Sequence, residues 1–158
     1  GEAWAIRDSD LMGDGVYKST DAGKTWSHAG LRETGRIGRI IVHPTNPDIV
    51  FACALGRATG PQEERGVFRT TDGGRNWRRV LFVNADTGCS GLAIDAKDPN
   101  VLMAGTWEVV MHTWAMFSGG VQWQRYFVLF GSESSVWSHG LTDRALPARL
   151  SKRVTSLP

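Results

Sequence analysis

One stretch of twelve residues occurs twice. Gly15-Val-Tyr-Lys-Ser-Thr-Asp-Ala-Gly-Lys-Thr-Trp26 returns fifty-one positions later as Gly66-Val-Phe-Arg-Thr-Thr-Asp-Gly-Gly-Arg-Asn-Trp77. Six positions are identical, and four more exchange like for like: Tyr17 for Phe68, Lys18 for Arg69, Ser19 for Thr70 and Lys24 for Arg75. The copying extends further, since Ile40-Ile-Val-His-Pro-Thr-Asn-Pro47 is answered after fifty-two positions by Leu92-Ala-Ile-Asp-Ala-Lys-Asp-Pro99. A fixed period of about fifty residues constrains the architecture more than any single motif. A repeated unit cannot bury its apolar faces alone and must stack on its neighbours.

Inside the unit, apolar runs of strand length alternate with Gly, Pro, Asn and Asp clusters. The order is Ile37–Val42, the turn Pro44–Asp48, Ile49–Leu55, a longer loop through Glu64, Gly66–Thr70, an Asp-Gly-Gly turn, and Trp77–Val83. This predicts a four-stranded antiparallel meander over 36–83, with no helix longer than two turns in 36–105. A meander repeated at this length matches a β-propeller blade. The fold class expected is therefore all-β, a partial β-propeller of about three four-stranded blades. Such an arc leaves apolar blade faces to be covered by remaining blades or by self-association. Gly1 in place of an initiator Met, and Glu2–Arg7 reading as a mid-blade strand, suggest a piece of a longer chain.

Each residue of the shared pattern Ser/Thr-x-Asp-x-Gly-x-x-Trp has a local task. The carboxylates of Asp21 and Asp72 can accept backbone N–H bonds inside a tight turn, and the hydroxyls of Ser19 and Thr70 can do so more weakly. Gly23 and Gly74 supply a backbone angle that other residues resist. Trp26 and Trp77 are expected to lie largely buried beneath these turns.

The pattern resembles the Asp-box, or bacterial neuraminidase repeat (BNR), with Asn76 standing where Thr is usual. The stretches Ile37–Val50, Gly60–Gly74 and Thr87–Asp95 resemble bacterial sortilin-type propellers, often labelled glycosyl hydrolase-like, over roughly residues 1–120. The resemblance implies that Asp21 and Asp72 are folding elements away from any active site. It also implies an exported protein, extracellular or periplasmic, acting as a ligand-binding or scaffold module. The alternative it carries is a propeller-type glycoside hydrolase with catalytic carboxylates partly outside this chain. The sialidase motif Phe/Tyr-Arg-Ile-Pro is absent, and Tyr17 falls inside the repeat.

The division expected is 1–120 for the blades and 121–158 for a degenerate third blade with a basic tail, disordered or non-native in sequence. The repeat logic fades there. Residues 1–108 hold thirteen basic and fourteen acidic side chains, whereas 110–158 hold five and two. The net charge of +2 offers no field for nucleic acid. No apolar run reaches the length of a membrane span. Arg36, Arg39, Arg75, Arg78 and Arg79 are expected on solvated faces. Cys53 and Cys89 fit no metal spacing. They read as buried thiols or, in an exported protein, as a bridge between adjacent blades.

No catalytic set is legible. The longest loop carries Glu63, Glu64 and Arg65, and long loops on rigid scaffolds are where binding groups gather. These three, with Trp107 from the aromatic run Trp107–Phe117, are the candidate ligand-binding residues, for a carbohydrate or a peptide. Asp8, Asp10, Asp86 and Glu108 are further carboxylates, none ranked above another. Asp8–Asp14 has too irregular a spacing for a Ca²⁺ loop. His43 and His112 lack companions at ligand spacing, so no metal and no cofactor is expected.

Overall fold

A computed structural model describes residues 12–57, 59–111, 116–118, 125–130 and 135–140, with side chains through Val110. The described chain is all-β apart from one short 3-10 turn, η1 (Arg32–Thr34). Strands β1 (Tyr17–Lys18) and β2 (Ser27–His28) form a hairpin. Then β3 (Ile37–Val42), β4 (Val50–Ala54), β5 (Gly66–Thr70) and β6 (Arg78–Leu81) make a four-stranded antiparallel meander in chain order. The expected unit over 36–83 is thus present, with each strand within two residues of its sequence-based bounds.

A further sheet holds β7 (Thr87–Ile94), β8 (Val101–Met111), β10 (Arg125–Phe130) and β11 (Ser135–Gly140), again in meander order. Besides β7, β8 is long enough to serve two further partners. Val101–Gly105 pair with β10, while Val109–Met111 pair with β9 (Met116–Ser118). The β9 excursion lengthens the third unit relative to the second. The turn between β10 and β11, where a third repeat of the Asp turn would fall, lies outside the described residues, as do Glu2–Arg7 and the basic tail from Arg144.

Register shows the repetition more fully than sequence identity does. Tyr17 lies opposite His28, Phe68 opposite Arg79, and Tyr126 opposite His139. In each outer hairpin the register pairs an aromatic residue with a nitrogen-bearing one.

The core forms where β7 packs against β3 and β4. Phe51, Cys53, Val67, Leu81, Cys89, Leu92, Leu102 and Ala104 are buried together there. Inside this core Cys53 of β4 is bonded to Cys89 of β7, so the bridge reading holds and buried free thiols are excluded. The bridge spans a sequence separation of 36. Tying a loop of that size is worth about 4 kcal/mol by chain entropy.

The two Asp turns have the same bonding. Ser19 Oγ accepts from Gly23 N at 2.7 Å, and Thr70 Oγ1 accepts from Gly74 N at 3.0 Å. Asp21 Oδ1 accepts from Thr25 N at 2.8 Å, and Asp72 Oδ1 from Asn76 N at 2.9 Å. The second carboxylate oxygen takes Thr25 Oγ1 at 2.6 Å in one copy and Asn76 Nδ2 at 2.7 Å in the other. Asn76 therefore replaces Thr without loss, because a side-chain amide is as good a donor as a hydroxyl. Gly23 and Gly74 sit at φ 87° and 96°.

Burial of the tryptophans differs from expectation. Trp26 is 63% exposed, and Trp77 is only partly buried. The cover comes from the neighbouring unit, not from the turn. Trp77 Nε1 donates to Ala29 O at 2.6 Å, whereas Trp26 Nε1 folds back on Gly23 O of its own turn at 3.1 Å. Among the described residues nothing does for Trp26 what Ala29 does for Trp77. Ile40 and Val42 on β3 are likewise exposed. Arg36 also departs from the reading of a solvated face. It is 5% exposed, and its carbonyl accepts from Leu55 N and Gly56 N at the start of the long loop.

Three outcomes follow from these contacts. The Cys53→Ala/Cys89→Ala double variant should lose about 2–5 kcal/mol in urea unfolding. Trp77→Ala should cost about 2–3 kcal/mol and Trp26→Ala less than about 1, a contrast visible in the same assay. Turn bonding holds the Asp21 carboxyl at about 2 instead of 3.8, chiefly through Thr25, and holds Asp72 lower still, chiefly through Asn76. Both carboxylates favour the folded state above the unfolded value near 3.8, and that contribution disappears as pH falls toward 2. The thermal midpoint should fall over this window, and less steeply in Asp72→Ala.

Candidate functional site

A meander reverses direction at every turn, so its connections alternate between two ends. The β3–β4 turn (43–49) and the Asp turn (71–77) lie at one end, with the corresponding turn 19–26 of the first unit. The long β4–β5 loop (55–65) and the β6–β7 connection (82–86) lie at the other. Asp21 and Asp72 are therefore at the opposite end from the long loop, each consumed by its own turn. His43 also remains local, its Nδ1 3.3 Å from Thr45 Oγ1.

The long loop is pinned on both flanks. On the side of the first unit, Gln62 Nε2 donates to Glu33 O at 2.7 Å, while within the loop Gln62 Oε1 accepts from Arg57 N at 2.6 Å. On the side of the third unit, Gln62 N donates to Ala85 O at 2.9 Å. Gln62 is 7% exposed, so one buried residue, through its side-chain amide and its backbone N–H, ties three consecutive units together.

Arg65 occupies the interior of the same loop. It is fully buried, and its guanidinium donates to four carbonyls. Nη1 reaches Asp86 O at 2.5 Å and Val109 O at 3.2 Å, while Nη2 reaches Arg57 O at 2.7 Å and Gly60 O at 3.2 Å. Burial lowers its pKa from the ordinary arginine value, against the pull of the nearby Asp86 charge. Only a planar, multiply donating cation can satisfy carbonyls from four directions at once, which is why Arg and not Lys stands here.

The four candidates from the sequence thus come to one end of the sheets but play different parts. Glu63 and Glu64 are exposed on the loop. Arg65 faces inward and touches backbone alone, so it braces the site and is not available to a ligand. Trp107 is half-buried and packs on Leu55 and Val109 beneath the loop. Asp86 and Glu108 are half-buried nearby, Glu108 in register with Thr87.

Sequence reasoning missed several members. Glu33 pairs with Arg57 at 3.0 Å, an exposed contact worth little in stability but one that sets two side chains at the rim. The Arg79 guanidinium donates to Glu63 O and lies 4.0 Å over the Phe82 ring. Neither Gln62 nor Arg57 carries a periodic signal, because residues that bridge units are specified by the neighbour and not by the local pattern.

Among the described residues no group of three or more His, Cys, Asp or Glu is placed to hold a metal ion. No helix is long and apolar enough to cross a membrane. Asp8, Asp10 and His112 lie outside the described residues.

No family model matches the chain. Over 71 residues, 45% of its length, the chain is 32% identical to the vacuolar protein sorting/targeting protein 10 of Sordaria macrospora, and it covers 4% of that protein. The crystal structure of the GH74 enzyme of Niastella koreensis matches 85% of this chain with a TM-score of 0.61 at 15% identity, and 19% of that enzyme's chain is covered. The chain spans a small part of both. At that identity the structural likeness establishes the fold alone, a partial β-propeller.

Arg65→Met should destabilise the protein by about 3 kcal/mol or more, since it orphans buried carbonyls. Arg65→Lys should recover part of that loss. Glu63→Gln and Glu64→Gln should each leave the thermal midpoint within about a degree of the parent, as exposed substitutions do.

Proposed function

We propose that this chain is a segment of an exported, sortilin-like β-propeller of the Asp-box (BNR) type that works as a ligand-binding or scaffold module. The observation that carries this reading is the long loop. It is fixed to both flanking units through Gln62 and Arg65, and it leaves Glu63 and Glu64 free at the rim. A preformed surface loses little conformational entropy on binding. Glu63, Glu64 and Trp107 are the residues assigned to a carbohydrate or peptide ligand.

The Asp turns support the Asp-box identity, and the partial identity to a sorting protein supports the sortilin-like one. The Cys53–Cys89 bridge favours an oxidising compartment, extracellular or periplasmic. Exposed Trp26, Ile40 and Val42 favour further blades, or other copies, against the first and second units.

A propeller-type glycoside hydrolase is the second reading. Its support is that Glu63, Glu64, Asp86 and Glu108 gather at one end of a fold shared with a GH74 enzyme. Hydrolysis needs two carboxylates facing each other across the sugar. In a propeller these come from loops on different blades, so the set would be completed outside this chain.

The purified chain should hydrolyse neither sialosides nor plant β-glucans, and should retain a glycan or peptide on arrays. That retention should vanish in Glu63→Gln/Glu64→Gln with the thermal midpoint unchanged. Hydrolysis by the chain that is lost in the same variant would replace the scaffold reading with the enzymatic one. Retention indifferent to both glutamates would remove the loop from the site.

A further inference from the structure

We propose that copies of this chain associate head to tail, the exposed Trp26 of one copy resting on Gly140 in the third sheet of the next. The partner is a second copy, and the contact repeats one already made inside the chain. This inference rests on the propeller fold and is independent of the ligand-binding reading. The internal contact is the seam between the first and second units. A Cβ at Gly30 would stand 2.8 Å from Trp77 Cδ1 and 2.9 Å from Nε1, so the indole lies directly on the glycine backbone. The adjacent carbonyl of Ala29 accepts the indole N–H at 2.6 Å, and Lys18 Nζ reaches across the seam to Gly73 O at 3.4 Å. Ring and shelf fit because the shelf residue has no side chain.

The first unit carries the ring half of this contact already formed. A Cβ at Gly23 or at Gly74 would lie 3.9 Å from Cζ2 of the tryptophan three positions on, so the two Asp turns present their rings alike. They differ in what lies opposite. The Gly74 position would also meet Ala29 Cβ at 3.1 Å, whereas among the described residues the Gly23 position meets its own tryptophan alone.

The shelf half recurs in the third unit and not in the second. Its place in each outer hairpin is opposite the residue that precedes the aromatic. Gly30 O accepts there from Val16 N at 2.9 Å, Leu81 is paired with Val67, and Gly140 with Arg125. The sequence agrees, since Trp26-Ser-His-Ala-Gly-Leu31 is echoed by Trp137-Ser-His-Gly-Leu141. The third hairpin passes from His139 to Gly140 without the extra residue that Ala29 and Val80 insert in the first two. Trp77 uses the Gly30 shelf, so Trp26 is the ring left for Gly140, and the two stand on the first and third units. The chain holds about three units, so two copies bring about six, within the roughly four to eight of a closed propeller. A head-to-tail contact closes when its rotation fits, and a two-copy ring covers both exposed tryptophans.

The test follows the mass of the full chain by sedimentation over a range of concentrations. The parent should pass from monomer to dimer. Trp26→Ala should weaken that dimer at least about thirtyfold, as loss of a tryptophan anchor does, with the thermal midpoint close to the parent's. Gly140→Ala adds the one carbon for which the first shelf has no room, and should be monomeric where the parent is dimeric. Mixed one to one, these two variants should form a heterodimer, since one keeps the shelf and the other the ring. A parent monomeric at every concentration would overturn the proposal and leave Trp26 to a different unit, and a dimer indifferent to Trp26→Ala would overturn it too. Two folded variants that stay monomeric when mixed would exclude the head-to-tail arrangement. Solvent exchange of the Trp26 indole N–H, assigned by Trp26→Phe, decides without any shelf variant. Its protection should rise about tenfold as the parent dimerises, the worth of one hydrogen bond, with Trp77 unchanged. A Trp26 signal indifferent to concentration would also overturn the contact.

Discussion

Everything in this molecule depends on one constraint: a four-stranded sheet of this kind has two faces to cover, and only its neighbours can cover them. Within a sheet the hydrogen bonds are satisfied strand by strand. Between sheets the contact is made by side chains of Phe51, Val67, Leu92 and Leu102, stapled by Cys53–Cys89. Stability is therefore a property of seams between repeats, as expected of a chain in which each unit touches only those beside it. The contrast between Trp77 and Trp26 is the clearest expression of this. The same residue in the same turn is half-covered where a preceding unit is described and exposed where none is.

The same constraint builds the candidate site. The long loop would be a mobile excursion if it were held only by its own blade. Gln62 and Arg65 make it common property of three units, through Glu33 on one side and Ala85, Asp86 and Val109 on the other. Buried polar groups are costly unless fully engaged, and that cost is what specifies the loop conformation. The exposed glutamates inherit their positions from this buried scaffold. The opposite end, by contrast, is occupied by turns whose polar groups are satisfied within a few residues. It offers regular geometry but few free groups.

Much of the fold could be read from the chain because the relevant physics is local. Strand boundaries in 36–83 followed from apolar runs ending at Pro44, Asn46 and Pro47 or at Asp-Gly-Gly. The turn chemistry followed from donors and acceptors two to four residues apart. Asn76 in place of Thr kept the same bond. What escaped reading was set across units. Arg36 read as a solvated charge and Arg65 as a ligand contact, since nothing in their own segments announces the burial of either or the four carbonyls that engage Arg65. The pairing of Cys53 with Cys89 stayed undecided, because sequence spacing does not measure the gap between two sheets. The β9 excursion, which delays the outer hairpin of the third sheet, broke the period where the aromatic run Trp107–Phe117 and the change in charge balance begin, but neither says that an extra strand is paired there.

The amino-acid sequence by itself determined the repeating unit, its four strands, the bonding of its Asp turns and the loop on which free carboxylates stand. Each rests on interactions between residues close in the chain, where spacing dictates geometry. Tertiary structure alone decided which tryptophan is covered, which arginine is a brace, that the cysteines are joined, and that Gly30 is the residue on which Trp77 rests. These depend on distances between units, and such distances are fixed only when the sheets pack face to face.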